Sequence, residues 1–256
     1  MGRVVAVALA RLPEVRAGDD LAELIANAWR ASIATDADLA PADGDVLVVT
    51  QKVVSKAEGR VIDLRTVTPR PEAAAFAERW DRDARQVEVV LREAAEVIRM
   101  DRGVVVCRTT HGFVCANAGV DASNVEPETV TLLPVDPDAS ARRLRDAIGA
   151  ALGSAPAVVI SDSFGRPWRF GIMDIALGVA GIQPLDDQRG RPDAQGRVMR
   201  STIVAVADEI ASVAELASGK TSGQPVVLVR GVPFVRSEDA SVVRDVVMPR
   251  TMDLFT

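Results

Sequence analysis

The side chains able to engage a polyanion fall into short clusters beside predicted strands. The first is Thr50-Gln51-Lys52-Val53-Val54-Ser55-Lys56-Ala57-Glu58-Gly59-Arg60, directly after the apolar run Val46-Leu47-Val48-Val49. Proteins of mixed helix and sheet commonly bind ligands where strands end. Lys52 and Lys56 are four apart, so on a helical turn both ammonium groups share a face. Two such cations repel unless an anion lies between them. Phosphate binding is one reading; a solvated turn with two surface lysines is the other.

The second cluster is Asn117-Ala118-Gly119-Val120-Asp121-Ala122-Ser123-Asn124. Oxygen donors at short spacing suit Mg2+ or Mn2+, with Asp121 as a ligand. A capped turn explains the same residues, because Asp and Asn hydrogen-bond their own backbone. The third is Ser161-Asp162-Ser163-Phe164-Gly165-Arg166-Pro167-Trp168-Arg169, after the strand candidate Ala157-Val158-Val159-Ile160. A carboxylate there is placed to hold a divalent ion over phosphates, with the Ser163 hydroxyl beside it. Arg166 and Arg169 can neutralise further negative charge. A helix cap with exposed arginines is the bland alternative. Asp186 to Arg197 reads as a polar loop, either at a site or merely exposed. Gly219-Lys220-Thr221-Ser222-Gly223 has small residues that let a backbone approach phosphate, but it lacks the upstream glycines of a P-loop.

The composition bounds these readings. The chain has 256 residues and 48% apolar types, enough for a large core or two modest ones. Lys and Arg number 30 against 36 Asp and Glu, a net charge of −6, which disfavours nucleic acid as a partner. One histidine and two cysteines nearly exclude a Cys/His zinc cluster. His111 reads as structural, and thiol catalysis by Cys107 or Cys115 has no paired histidine to support it. No run of eighteen apolar residues exists, so no membrane span is expected; two thiols and many carboxylates suggest a cytoplasmic protein.

Elements must position these clusters. Val4–Leu9, Val46–Thr50, Val61–Leu64, Val104–Cys107, Ala157–Ile160 and Pro225–Val229 are strand candidates. A helix follows Asp20, capped with Glu23 at the third position, and uses Leu21, Leu24, Ile25, Ala28 and Trp29. Further helices are predicted over 69–82, 85–100, 138–152 and 238–243. Ile203 to Leu216 carries a helical stripe whose β-branched start also suits a strand. Strands alternating with long helices indicate an α/β or α+β class. A boundary is expected near 65–80 or 130–137.

The blocks Val53–Arg60, His111–Asn124 and Ser161–Arg169 resemble the coenzyme F420-0:L-glutamate ligase family, also called gamma-glutamyl ligases. The likeness runs from the first strand through Pro225-Val226-Val227-Leu228-Val229-Arg230-Gly231. The resemblance implies an α+β, mixed α/β chain with a two-domain gamma-glutamyl ligase-like fold, neither Rossmann nor P-loop. It implies one ligase region over 1–256, built of two closely packed subdomains, without the C-terminal nitroreductase-like domain fused to some bacterial relatives. The implied reaction adds L-glutamate to the lactyl carboxylate of a deazaflavin phosphodiester, F420-0, and then a γ-linked glutamate. GTP would be the co-substrate, giving GDP and phosphate through an acyl phosphate. Mg2+ or Mn2+ and a monovalent cation such as K+ would assist, in a homodimer.

By the same resemblance, Asp121, Asp162 and Ser163 would be metal ligands. Lys56, Asp121, Asp162 and Arg166 would serve catalysis. Leu12, Pro13, Glu14, Val15, Gln51, Lys52, Lys56 and Asn124 would contact the nucleotide, together with Ser218, Gly219, Lys220, Thr221, Ser222, Gly223, Gln224 and Pro225. The chain departs from the family pattern at Lys220, where some members place an acidic metal ligand, and at Gln188, where many have an aromatic residue. Two other functions stay in view: an amide-forming ligase acting on a different phosphorylated acid, and a non-catalytic GTP-binding regulator.

Overall fold

The computed structural model describes residues 2–219 and 222–253. The chain runs β1 (Val5–Ala8), α1 (Leu21–Thr35), β2 (Val46–Thr50), α2 (Gln51–Ala57), β3 (Val61–Asp63), α3 (Pro71–Trp80) and α4 (Ala84–Glu93). It continues β4 (Ala94–Asp101), β5 (Val104–Thr109), β6 (Val114–Ala116), β7 (Thr129–Thr131), α5 (Pro137–Leu152), β8 (Ala157–Arg166) and β9 (Arg169–Ala180). It ends β10 (Asp186–Asp187), β11 (Ile203–Val204), α6 (Val206–Ser218), β12 (Val226–Arg230) and α7 (Val242–Asp245). This is an α+β arrangement with several small sheets around one larger one.

The main sheet has the order β1-β12-β2-β8-β9. Only β2 and β8 are parallel, with Thr50 opposite Ser161; the other pairings are antiparallel. Successive side chains alternate between the faces of a strand. Leu47 and Val49 therefore enter one core with Trp29 of α1 and Ile148 of α5. Val46 and Val48 enter a second core with Ile210 and Ala214 of α6. Helices cover both faces, which is why β2, β8 and β12 read as unbroken apolar runs. Residues between 62 and 132 supply two further clusters. One joins Phe76, Val90, Val105 and Cys107; the other joins Leu64, Val89, Val130 and Leu132.

β9 is an edge strand, and its outward N–H groups would otherwise be open to pairing. Side-chain carboxylates close that edge. Glu215 of α6 accepts from Asp174 N–H at 3.1 Å, Asp208 from Ala176 N–H at 2.9 Å, and Asp138 of α5 from Val179 N–H at 2.8 Å. Asp138 is buried and also accepts from Ser241 Oγ at 2.6 Å and Val242 N–H at 3.0 Å. Gly178 permits this approach: a Cβ there would stand 2.3 Å from the Pro137 carbonyl carbon.

Several elements differ from the sequence reading. The predicted helix over 85–100 ends at Glu93, and 94–101 is strand β4. Its exposure alternates residue by residue, which suits a ribbon against β5 better than a helix face. β8 does not stop at Ile160 but continues through Arg166 into a hairpin with β9. The segment 203–216 divides into β11 and α6. The last short helix, expected over 238–243, lies at 242–245, where Ser241 caps it by accepting from Arg244 N–H. Asp20 caps α1 as expected, accepting from Glu23 N–H at 3.0 Å.

Two predictions concern this framework. Asp138→Ala leaves the Val179 and Val242 N–H groups buried without their partner, and is expected to cost about 2–4 kcal/mol in urea unfolding. The second concerns buried Glu88, whose carboxyl the Arg70 side chain draws down from 4.5 to about 2, with Arg70 N–H and Arg92 assisting against burial. The stabilisation is full above the unfolded value of 4.5 and is lost as pH falls towards 2. Glu88→Gln should therefore destabilise the protein in urea melts near neutral pH, with the deficit shrinking steadily on acidification below pH 4.5.

Candidate functional site

The register of β2 and β8 brings two of the sequence clusters to one rim. β2 ends at Thr50 and α2 starts at the next residue, so Gln51 and Lys52 emerge beside Ser161 and Asp162. Asp121 reaches the same place from the short segment after β6, held by an isolated bridge to Thr131. These residues line a cleft of about 600 Å3. Leu12, Pro13, Glu14 and Val15 form another wall, and Asn124, Ser218, Gly219, Ser222, Gly223, Gln224 and Pro225 complete it. Each of these was singled out in the sequence. Lys220 and Thr221 lie outside the described residues.

The two lysines do share a face of α2. Lys52 Nζ stands 2.7 Å from Asp121 Oδ2 and donates to the Ser123 carbonyl at 2.5 Å. Lys56 Nζ donates to Glu14 Oε1 at 2.6 Å and to the Asn124 carbonyl at 3.0 Å. Ser55 is fully buried beneath them and donates to Gln51 Oε1 at 2.8 Å, while Gln51 Nε2 has no hydrogen-bond partner. An orphaned amide donor at a cleft wall is costly unless a ligand meets it.

The carboxylates differ in their surroundings. Burial works against the charge on Asp121, but the Lys52 and Ser123 hydrogen bonds overcome it and hold the carboxyl below the usual range. Asp162 is the opposite case. Burial drives its carboxyl up to about 7, and Asp121 and Asp174 add like-charge repulsion against the help of Ser163 N–H and Lys52. A carboxylate crowded in this way favours any cation brought beside it.

Asp174 and Glu215 also line the cleft, and neither was identified from sequence. Asp174 is buried, 6% exposed, and accepts from Ser163 Oγ at 2.5 Å and Ser161 Oγ at 3.1 Å. The only signal in the sequence was one acid in the apolar run Ile172-Met173-Asp174-Ile175-Ala176. Its hydrogen bonds orient the Ser161 and Ser163 hydroxyls along β8.

Among the described residues, no three or more His, Cys, Asp or Glu side chains are grouped to hold a metal ion alone. Mg2+ or Mn2+ is commonly held by one or two carboxylates, with phosphate oxygens and water completing the shell. Asp121, Asp162 and Ser163 provide hard oxygen donors of that kind.

Some expected residues stand elsewhere. Arg166 does not line the cleft; it sits near the tip of the β8–β9 hairpin and donates to the Phe170 carbonyl at 3.3 Å. The reason is the continuation of β8, which carries residue 166 away from Asp162. Gln188 donates to Asp186 Oδ2 at 3.0 Å, and 186–197 folds on itself through the Arg189–Asp187 and Arg191–Asp186 pairs, apart from the cleft lining. His111 is structural, its Nε2 at 2.9 Å from the Pro134 carbonyl. Cys107 and Cys115 are buried cross-strand partners, and burial pushes the Cys115 thiol up to about 12. No helix among the described residues is long and apolar enough to cross a membrane.

Comparison with known proteins accords with this geometry. The profile of the F420-0:Gamma-glutamyl ligase family matches residues 10–231. The coenzyme F420:L-glutamate ligase of Methanothermobacter thermautotrophicus is 44% identical, over 95% of either chain. That of Methanopyrus kandleri is 43% identical over 94% of this chain and 93% of its own. That of Methanocaldococcus jannaschii is 42% identical over 83% and 85%. Matches of this length and identity, spanning the residues that build the cleft, make the chain a ligase of the F420-0:gamma-glutamyl ligase family.

Proposed function

We propose that the chain is a GTP-dependent coenzyme F420-0:L-glutamate ligase. The reading rests on one observation above all: Lys52, Lys56, Asp121 and Asp162, distant in sequence, meet in one cleft. The lactyl carboxylate of the deazaflavin phosphodiester attacks the γ-phosphorus of GTP, and the β–γ bond breaks to release GDP. The acyl phosphate so formed is attacked by the amine of L-glutamate, which loses a proton as phosphate leaves. A second round joins a further glutamate through the γ-carboxylate.

The first step brings two anions together, so charge neutralisation is the main demand on the protein. Lys52 and Lys56 are held on one helix face and need not move to meet phosphate. Gln51 Nε2 is a donor in want of an acceptor. Gly219 and Gly223, at positive φ, allow the backbone to run close to the nucleotide. Mg2+ or Mn2+, when bound, supplies positive charge over the phosphate oxygens, and Asp121, Asp162 and Ser163 are the residues that would hold it. A monovalent cation such as K+ belongs to the same reading.

The working unit is proposed to be a cytoplasmic homodimer. Trp168, Phe170 and Ile172 of the β8–β9 hairpin are largely exposed, which suits burial against a second copy.

The purified protein is expected to release GDP and phosphate only when the deazaflavin acid, L-glutamate, GTP and Mg2+ or Mn2+ are all present. GTP binding without turnover would favour the regulator; glutamate-dependent turnover with another phosphorylated acid, but not this one, would favour a related ligase. Asp162→Asn is expected to lower kcat by about 100-fold or more, the scale of removing a positioned electrostatic group. Because it also removes a charge crowded by Asp121 and Asp174, its melting temperature without divalent cation should equal or exceed that of the parent. Unchanged turnover in this variant would contradict the role given to Asp162.

A further inference from the structure

A second cavity, of about 660 Å3, opens between the β8–β9 hairpin, the β4–β6 sheet and α7. Its lining is mainly apolar and includes Phe113, Phe164, Ile175, Val246 and Val247. Phe113 and Phe164 meet edge to face with ring centroids 6.3 Å apart. Four charged side chains, Arg99, Arg108, Asp208 and Asp253, line the same space. Arg108 is mostly buried and paired with Asp253, and Asp208 is anchored through Oδ1 to Ala176 N–H. An apolar chamber of this size with a few fixed polar groups has the form of a small-molecule site.

The cavity adjoins the phosphoryl-transfer cleft. Ser163 lines the cleft and Phe164, the next residue, lines the cavity. Asp162 of the cleft is the cross-strand partner of Ile175 of the cavity. Directly opposed side chains begin only about 5 Å apart. A ligand with one end at Asp162 therefore has its remainder within reach of the cavity. Pro167 and the exposed Trp168, at the hairpin tip, line the cavity's mouth.

We propose that this cavity receives the flat deazaflavin ring of the acid substrate, while the carboxylate end of the same molecule lies in the cleft beside Asp162. The inference rests on the ligase reading above and adds where the substrate is recognised. Phe113 and Phe164 supply the apolar walls, and Arg108 and Asp208 face the polar edge of the ring.

The test fills the cavity and shortens the substrate. Val246→Trp, with Val247→Phe as a second variant, is assayed against the ring-bearing acid and against a lactyl phosphodiester lacking the ring. The expected result is a KM for the ring-bearing acid raised about tenfold or more, as loss of a buried aromatic contact implies, with KM for GTP and for the ringless acid within about twofold of the parent. Equal effects on both acids, or none, in a variant with parental melting temperature would overturn the proposal. So would an unchanged KM accompanied by loss of a dimer in sedimentation, which would assign the cavity to a second copy. Should neither variant fold, fluorescence titration of the parent with the free ring decides: competition by the whole acid but not by GTP supports the site, and no such competition overturns it. If the parent turns over no substrate at all, the ligase reading fails instead, and the ring titration still reports on the cavity.

Discussion

The parallel pairing of β2 with β8 is the constraint on which the site depends. Five consecutive residue pairs, from Val46–Ala157 to Thr50–Ser161, fix where the two strands stand relative to each other. A slip of one residue would turn Leu47 and Val49 out of one core and into the other. It would also move Lys52 and Lys56 relative to Asp162. The apolar cores that stabilise the fold and the charge constellation in the cleft are thus set by the same register. That coupling explains how polar residues at strand ends are held without a rigid cage of their own.

The edge strand β9 extends this logic. Its N–H groups are met by Asp138, Asp208 and Glu215, acids from two different helices. The helix α6 carries two of these acids, seven residues apart and therefore on one face. The hydroxyl of Ser212 on the same helix donates to the Asp174 carbonyl at 2.8 Å. Asp174 is thereby fixed from the backbone outward before its carboxylate meets Ser161 and Ser163. The contacts that close the sheet edge thus also orient the Ser161 and Ser163 hydroxyls.

What the sequence disclosed follows from how local each signal was. Lys52 and Lys56 announce a shared face through spacing alone. Asp121 and Asp162 sit in dense polar clusters next to apolar strands, so their place at a rim was readable. Asp174 and Glu215 were not, because each is a single acid whose neighbours in sequence look like ordinary core or helix surface; only tertiary contact makes them part of the cleft. The same limit misread residues 94–101. Val97, Ile98 and Met100 are compatible with both periods, and pairing with β5 selected the strand. Arg166 stands apart from the cleft lining because the extended backbone of β8 adds roughly 3.3 Å per residue beyond Asp162.

The charges in the cleft lead to one further step. Five acids among the described residues line it, Glu14, Asp121, Asp162, Asp174 and Glu215, in a chain that is already net negative. A triphosphate entering so acidic a place would be repelled by acids alone. The cleft resolves this by segregation. Lys52 is paired with Asp121 and Lys56 with Glu14, so both cations stand ready on the α2 side, while Asp162 is left crowded and half-buried on the β8 side. On the proposed reading, an incoming polyanion would meet the lysines, and an accompanying divalent cation would be drawn towards Asp162. On that reading the two opposite charges would bind better together than either alone. This reciprocal coupling is a more economical account of the mixed-charge lining than a site built for either the anion or the cation separately.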